Sequence, residues 1–541
     1  MGRNKPKKQK HEPGQEKPKP AATAVGPAAA KPANQLGLKV LVLTAGAVLM
    51  GLEIVGSRLL APHFGNSVFV WGSLISVFLT ALSAGYYAGG YLADRKPSFV
   101  LLNGLCILVA ALILVVPWKG HDLCRSLVSS GFEEETGPLV AAAILFLPAS
   151  LILGMVSPFS VRLSAPSVES VGRSAGTLYA LSTLGSIAGT LVTTFVLIPK
   201  LGVARIFQGL GGTMLVVPGA LLVLRRRPEP LAVAAILVGV WGLTLPFSPA
   251  AVVDPGRFKV RLDEDTPYHH ISVLDARRKG SRDLRFDFFK ESSIELAPPY
   301  RSLSRYTNYF HLAFLARPRI ASTLFIGAGG GVGPRSFWQM DPGMKIDVVD
   351  VDSRILDIAR EYFFLPEEDS IRTFARDGRM FVQFEEGTYD CIILDAFTIG
   401  GRIPFHLVTR ECFELYRERL SSGGVFVINT NSSLSGEKSE IFRSVLRTMQ
   451  AVFPQVHVFA VDYQRIKSED SRNIILVAED GAEDLTADEW RKRIADYPEG
   501  KSYITREFLR GMVEDLVSPS PEVGDAVLLS DDFAPIETMG F

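Results

Sequence analysis

The residues best suited to chemistry begin with a glycine-rich turn in the second half of the chain. The apolar strand pattern 323–326 runs into Gly327, Gly329 and Gly331 and then into a helix pattern. Glycine permits positive φ and lets a ligand approach the backbone, which is why such turns lie beneath nucleotides. The spacing does not match G-x-G-x-x-G, so the turn alone does not predict a dinucleotide site.

Three acidic residues follow in the order that an adenosyl-nucleoside site requires. Asp350 ends the second strand pattern about 20 residues after the turn, where a carboxylate accepts both ribose hydroxyls. Asp377, followed by Gly378, ends the third pattern beside the expected adenine. Asp395 ends a fully apolar strand, so it should lie at the carboxyl edge of the sheet, where open α/β folds bind ligands. Each acid alone is compatible with a simple turn or strand cap, but the ordered set predicts a nucleoside site.

The elements that position these residues alternate between strand and helix patterns. Strand-like runs occur at 323–326, 345–349, 391–394 and 424–428. The alternation predicts a parallel, Rossmann-type (methyltransferase-like) α/β sheet within residues 301–541. A small β subdomain, residues 255–300, is predicted in front of that sheet.

The first half of the chain has the composition of a membrane domain. The 541 residues are 47% hydrophobic, which is high for a soluble enzyme, and their net charge is zero. Within residues 37–250, about seven apolar runs approach the roughly 20 residues that a bilayer core requires. These runs lie at 38–58, 67–92, 98–117, 138–162, 174–198, 204–224 and 230–248. Residues 1–36, rich in Lys, Pro and Ala, lack the apolar side chains for a core and are predicted to be disordered.

Polar and small residues inside the spans need partners. Glu53 lies within the first span and Arg58 near its end. A carboxylate at that depth costs about 2.5–3.5 kcal/mol on insertion scales, so it should face a cavity or an interhelical ion pair rather than lipid. Two glycine pairs have the spacing that lets helices approach closely, and we interpret them as packing features: Gly85 with Gly89, and Gly185 with Gly189.

From about 255 to 480 the chain resembles the spermidine synthases. With its spans it resembles the bacterial membrane-fused spermidine synthase-like proteins, on the turn and acids above and on the phrases 306–312, 403–407 and 530–535. The resemblance implies that Asp350 binds the ribose, that Asp377 and Gly378 lie beside adenine, and that Asp395 is the catalytic proton acceptor. His269 stands where the family has Gln, and the resemblance makes it a further ligand contact.

Departures from the family concern the half of the site that would hold a polyamine. Gly330 and Thr398 stand where the family has acids, and Phe310 replaces a polar residue. A polyamine cation needs carboxylates to replace its water. Asp531 and Asp532 are candidates for substitute acids, although adjacent acids near a terminus are more often simply solvated.

Three functions remain open at this point. The resemblance implies an aminopropyltransferase that uses decarboxylated S-adenosylmethionine. The same fold with intact S-adenosylmethionine would be a methyltransferase. The run 89–96 resembles a loop of major-facilitator transporters, so a transporter or sensor function is the third alternative. The expected partners are a small-molecule amine and membrane lipid, with a homodimer left open and no nucleic acid. No metal is expected, because the four cysteines have no metal-ligand spacing.

The charged loops predict a multi-pass protein of the inner membrane. Basic residues of the tail, Arg95 with Lys96, Arg162 with Arg173, and 225–227 fall in alternate loops, which favours a cytoplasmic N-terminus. An odd number of spans then puts the second half of the chain outside. Adenosyl donors are cytoplasmic, so we expect the catalytic domain in the cytoplasm and one weak segment that does not cross.

Overall fold

The computed structural model describes most of the chain. It covers residues 1–2, 35–64, 68–132, 135–165, 171–224, 256–287, 289–398, 401–481 and 485–540. Nearly all of the predicted basic tail and the whole predicted span 230–248 lie outside the described residues.

Six of the helices in the described part are long and apolar enough to cross a membrane, a property of length and composition. The bundle consists of α1 (Gln35–Phe64), α2 (Val68–Arg95), α3 (Phe99–Ser129), α4 (Gly137–Leu145), α5 (Leu147–Ser164), α6 (Val171–Val192, continued by a π-helical turn Thr193–Leu197) and α7 (Val203–Val223). The predicted helical runs between 38 and 224 are confirmed. The run 138–162 is divided at Phe146, because Pro148 has no N–H to continue the helical hydrogen bonds.

The glycine pairs lie where helices touch. A Cβ on Gly85 would stand 2.3 Å from the carbonyl oxygen of Leu151 on α5, and a Cβ on Gly189 would stand 2.1 Å from that of Ala47 on α1. Neither neighbour is a flexible side chain, so the backbones themselves are in contact. The predicted packing role of these glycines is confirmed.

A small antiparallel sheet follows the bundle. It has the order β1-β2-β3-β4, formed by Phe258–Asp265, His270–Ala276, Ser281–Phe286 and Phe289–Glu295. Arg282 on β3 donates to Asp275 on β2 (2.7 and 3.1 Å) and to the carbonyl oxygen of Tyr362 (2.8 Å). This ties the small sheet to the α/β domain behind it.

The α/β domain is a seven-stranded sheet in the order β10-β11-β9-β8-β5-β6-β7. Its strands are β5 (Ser322–Ile326), β6 (Lys345–Asp350), β7 (Ile371–Ala375), β8 (Tyr389–Leu394), β9 (Leu420–Ser432), β10 (Gln455–Ala460) and β11 (Arg472–Glu479). The prediction of a fully parallel sheet was wrong at one edge, where β11 runs antiparallel to both β9 and β10. The chain from β10 to β11 has no crossover helix, and a parallel connection would require one.

Helices cover both faces of this sheet. They are α8 (Ala313–Ala316), α9 (Val332–Met340), α10 (Ser353–Phe363), α11 (Gly378–Phe384), α12 (Arg410–Arg419), α13 (Glu440–Gln450), α14 (Ala487–Arg493) and α15 (Arg506–Glu514). Alternate residues of the central strands enter different cores: Phe325 packs in one, whereas Leu324 and Ile326 pack in the other. The strands are buried on both faces, so polar groups at their ends are held by rigid surroundings.

The small sheet rests on one end of the helical bundle. Arg58 of α1 donates to backbone carbonyls in the β1–β2 loop, and the backbone N–H of Val203, at the start of α7, donates to Asp265. The bundle end that contacts the small sheet is therefore the one where α1 finishes and α7 starts. The chain enters α1 at Gln35, at the opposite end.

Candidate functional site

The glycine-rich turn between β5 and α9 adopts a conformation that requires glycine. Gly327, Gly329 and Gly331 have φ values of 94°, 47° and 64°. At Gly327 there is a second reason, because a Cβ would stand 2.2 Å from the carbonyl oxygen of Asp395. The turn is thus pressed against the end of β8, and its residues line a small pocket together with Asp395.

Asp350, at the end of β6, is fixed by both carboxylate oxygens. One accepts from the N–H of Ala328 in the turn (2.9 Å) and the other from the N–H of Asp352 (3.0 Å). Burial raises the pKa of Asp350 to about 6, although these two hydrogen bonds act in the opposite direction. The carboxylate is oriented by the backbone and still has lone pairs for ribose hydroxyls.

Asp377 begins α11, two residues after β7 ends. Its side chain accepts from the N–H of Met380 (3.0 Å) and lies 2.9 Å from Nε2 of His406, whose hydrogen bond is the main cause that lowers the pKa of Asp377. A Cβ on Gly378 would stand 2.4 Å from Ile326 at the end of β5, so this pair reaches the same sheet edge as the glycine-rich turn. His406 was not predicted as a site residue, although it lies in the family-like phrase 403–407.

Asp395 lies directly after β8 with two polar side chains around its carboxylate. Asn429 Nδ2 donates to Oδ1 (2.9 Å), and Asn473 in turn donates to Asn429 (3.1 Å). The Tyr306 hydroxyl also hydrogen-bonds to Asp395. Burial raises the pKa of Asp395 to about 6, and the bonds from Asn429 and Tyr306 partly oppose that rise. The group is therefore mainly ionised at neutral pH and able to take a proton.

Two further acids were missed in the sequence: Glu291, which interacts with the charge of Asp395, and Asp287, which interacts with Glu291. Burial, followed by the negative charges of Asp395 and Asp287, raises the pKa of Glu291 on β4 to about 7. Burial likewise raises the pKa of Asp287 to about 6. The Tyr306 hydroxyl lies 3.2 Å from the backbone oxygen of Glu291, which fixes β4 against the site. Neither acid belongs to a recognisable motif, so only the tertiary structure reveals them.

Other candidates have different surroundings. His269 lies in the loop that starts β2, stacked on Phe286 with ring centroids 4.6 Å apart, and its buried Nδ1 has no hydrogen-bond partner among the described residues. Gly330 has no room for an acid, because a Cβ would stand 2.9 Å from Ser292. Asp531 makes two hydrogen bonds to Arg379 (2.7 and 2.6 Å), so it does not serve as a free substitute acid.

The sheet order and the glycine-rich turn at its edge define a Rossmann-type domain behind a small β-sheet, attached to a bundle of long apolar helices. Residues 305–476 match the model of the spermine/spermidine synthase domain. This part of the chain is similar to that domain, and the helical bundle precedes it.

Several proteins with similar sequences are named as polyamine aminopropyltransferases. A probable polyamine aminopropyl transferase of Bifidobacterium longum is 29% identical over 243 residues, 43% of this chain and 53% of that protein. The chain thus spans about half the length of that relative. Polyamine aminopropyltransferase 2 of Aquifex aeolicus is 22% identical over 402 residues, 71% of this chain and 77% of that protein. The part of the chain after residue 256 is shorter than 402 residues, so this match also includes part of the helical region.

A solved structure can also be superposed on part of the chain. The crystal structure of a probable spermidine synthase from Corynebacterium glutamicum has 22% sequence identity and covers 50% of this chain and 98% of that one, with a TM-score of 0.39.

The raised pKa of Asp395 gives a stability prediction with a definite sign. The ordinary pKa of 3.8 rises to about 6 on folding, so ionisation costs the folded state stability. The cost is absent below about pH 4, grows between pH 4 and 6, and is complete above that. We expect Asp395→Asn to be more stable than the native protein at pH 7, by on the order of 3 kcal/mol, and to lose this advantage at pH 4.

Thermal unfolding of the purified proteins at several pH values measures this difference. The matched control is Asp369→Asn, because Asp369 is exposed to water and should give no gain that depends on pH. An Asp395→Asn protein less stable than the native one at pH 7 would mean that the carboxylate stabilises the fold, which contradicts the prediction.

Proposed function

We propose that this protein transfers an aminopropyl group from decarboxylated S-adenosylmethionine to an amine. The observation that carries the proposal is the position of Asp395, directly after β8, with its backbone carbonyl against Gly327 of the glycine-rich turn and its carboxylate bonded to Asn429. The turn, Asp350, and Asp377 with Gly378 bind the nucleoside of the donor in this proposal. His269, on the small sheet, is a further donor contact.

The reaction uses Asp395 as the proton acceptor. The amine nitrogen attacks the propyl carbon bonded to the sulfonium, the carbon–sulfur bond breaks, and its electron pair neutralises the sulfur as a thioether. The attacking nitrogen becomes positively charged and releases its proton to Asp395. Asn429 keeps the carboxylate in one orientation, because its side-chain amide donates a hydrogen bond to Oδ1, and the Tyr306 hydroxyl lies beside the same carboxylate.

The charges around Asp395 favour the decarboxylated donor over intact S-adenosylmethionine. After burial, the negative charges of Asp395 and Asp287 raise the pKa of Glu291, so this group already carries unfavourable negative charge. An intact donor brings a further carboxylate into this group, and like charges at short distance repel. A decarboxylated donor brings only an ammonium group, which the acids attract. The same argument disfavours a methyltransferase.

Glu291 supplies the carboxylate that the family's acids provide elsewhere. Gly330 and Thr398 leave two of those positions without charge, and Asp531 is bound to Arg379. The carboxyl group of Glu291 lies on the small sheet beside Asp395. An ammonium group of the acceptor beside Glu291 would favour the ionised form of that carboxyl group and would hold the neutral nitrogen of the same molecule for attack.

The reaction is tested with the purified full-length protein, given either donor and a panel of diamines and triamines. We expect products heavier by one aminopropyl unit, detected by mass spectrometry, only with the decarboxylated donor. Asp395→Asn should lower turnover by about 10²–10⁴-fold, the usual contribution of a positioned base, while calorimetry shows donor binding nearly unchanged. Methylated products, or unchanged turnover in the variant, would refute the proposal.

The acceptor role of Glu291 has its own test. Glu291→Gln keeps the shape and removes the charge, so KM for the amine should rise about tenfold, equivalent to about 1.4 kcal/mol, with KM for the donor much less affected. The matched control is Glu295→Gln at the end of the same strand, which should leave both constants unchanged. Equal effects of the two variants would remove Glu291 from the acceptor site.

For location, we propose the inner membrane, with the six described helices and residues 230–248 forming the domain 37–250 in contact with lipid. The domain divisions 1–36, 255–300 and 301–541, a small-molecule amine as substrate and no nucleic-acid partner are parts of the same proposal. A homodimer is compatible with it.

The supply of donor favours a cytoplasmic site, whereas the Lys and Arg of the tail favour a cytoplasmic N-terminus. We adopt the donor criterion, since an enzyme without donor has no turnover.

The contact between the small sheet and the bundle makes the sidedness testable. Gln35 and the small sheet lie at opposite ends of α1, so reporters on the two termini should report opposite faces. We expect a C-terminal green fluorescent protein to fluoresce and an N-terminal tag to be accessible from outside the inner membrane. An active C-terminal alkaline phosphatase would reverse the orientation, and equal results at both ends would contradict the observed contact.

A further inference from the structure

We infer that Arg58, on helix α1 of the bundle, positions Tyr268 beside the nucleoside half of the site. The inference rests on the proposed function, because it assumes that a nucleoside binds at Asp350. The helical bundle would then influence ligand binding through one loop of the small sheet.

The guanidinium of Arg58 holds the β1–β2 loop from the side of the bundle. It donates to the carbonyl oxygen of Tyr268 (2.9 Å) and to that of Thr266 (2.7 Å). Arg58 lies about 35 Å along α1 at 1.5 Å per residue, beyond the roughly 30 Å of a hydrocarbon core. With the hydrocarbon core starting at Gln35, Arg58 would reach the loop from the membrane surface, and its charge would lie outside the lipid.

The loop itself is a closed turn. The N–H of Thr266 donates to the carbonyl oxygen of His269 (2.8 Å), and the Thr266 hydroxyl accepts from the N–H groups of Tyr268 (3.2 Å) and His269 (3.1 Å). The carbonyl oxygens of Thr266 and Tyr268 are left for Arg58. Because the guanidinium is a planar fork, it satisfies both at once, which a lysine ammonium does not do with the same geometry.

A second contact holds the strand that leads into this loop. The N–H of Val203, at the start of α7, donates to Asp265 Oδ2 (3.1 Å), and Asp265 Oδ1 lies 2.7 Å from Nδ1 of His270. A Cβ on Gly202 would stand 2.7 Å from Oδ2 of Asp265, so the approach is close. The bundle thus contacts the loop through two helices.

Tyr268 links this loop to the nucleoside acids. Its side chain is 41% exposed, so part of it is accessible to a ligand. The negative charges of Asp352, Asp350 and Asp377 add to burial in raising the pKa of Tyr268, which places the phenol near these acids. Arg354, on the first turn of α10 next to Asp352, also forms an ion pair with Glu264 of β1. The loop therefore lies next to the edge of the sheet that carries these acids.

A partly exposed tyrosine at this position suits a nucleoside. The ring offers an apolar face to a purine or a ribose, and its hydroxyl offers a hydrogen bond at the rim. If the loop were released, only part of the population would hold Tyr268 in place. The apparent dissociation constant is the intrinsic one divided by the competent fraction, so a tenfold loss of that fraction weakens binding about tenfold.

Calorimetric titration of the full-length protein in lipid nanodiscs tests the inference. The probe is 5′-methylthioadenosine, the thioether that aminopropyl transfer releases. We expect Arg58→Ala, Arg58→Lys and Tyr268→Ala each to weaken its binding about tenfold. The double variant Arg58→Ala/Tyr268→Ala should be no weaker than the weaker single variant, because both changes remove the same contact.

Two controls separate a positioning role from general damage. Arg162→Ala removes the ion pair with Asp94 (3.0 Å) at the other end of the bundle and should leave binding unchanged. Asp350→Ala should abolish binding. Native affinity in both Arg58 variants, additive losses in the double variant, or an equal loss in Arg162→Ala would overturn the inference. If the native protein binds no probe, or if Asp350→Ala binds like the native protein, the proposed function itself fails.

Discussion

The candidate site depends on one close approach between two neighbouring strand ends. Gly327 follows β5 and Asp395 follows β8, and the Asp395 carbonyl oxygen occupies the space that a side chain at 327 would need. The N–H of Asp395 donates to Ile326 (2.8 Å), and the N–H of Gly327 donates to Val349 (2.8 Å). Three strands are thereby joined at their carboxyl ends. A ligand bound on the turn would lie next to Asp395 for this reason.

Burial raises the pKa values of the carboxyl groups in the candidate site. Asp350, Asp395, Asp287 and Glu291 all have raised pKa values, and burial is the largest cause in each. Such an arrangement opposes folding, because each carboxylate would be better solvated in water. Clusters of this kind are common at sites that bind cations or move protons. A sulfonium and an amine are the reactants that such a cluster would stabilise.

The helical bundle is in contact with the small sheet in front of the α/β domain. It contacts the small sheet from α1 and α7, and the small sheet carries Glu291 and the loop with Tyr268, which belong to the proposed site. The site is therefore built from parts of the chain more than 300 residues apart, Arg58 and Asp395 among them. A change in the packing of α1 against its neighbours would reach the nucleoside edge through a single loop.

The sequence by itself determined the helical runs up to residue 224, the strands β5, β6 and β8, and the glycine-rich turn with its three acids. These features follow from local rules: apolar length, strand alternation and the positive φ of glycine. Only the tertiary structure revealed the antiparallel edge strand β11, the pairing of His406 with Asp377, and Glu291 beside Asp395. Each of these is a contact between residues distant in the chain, and their spacing in sequence has no period or motif to detect.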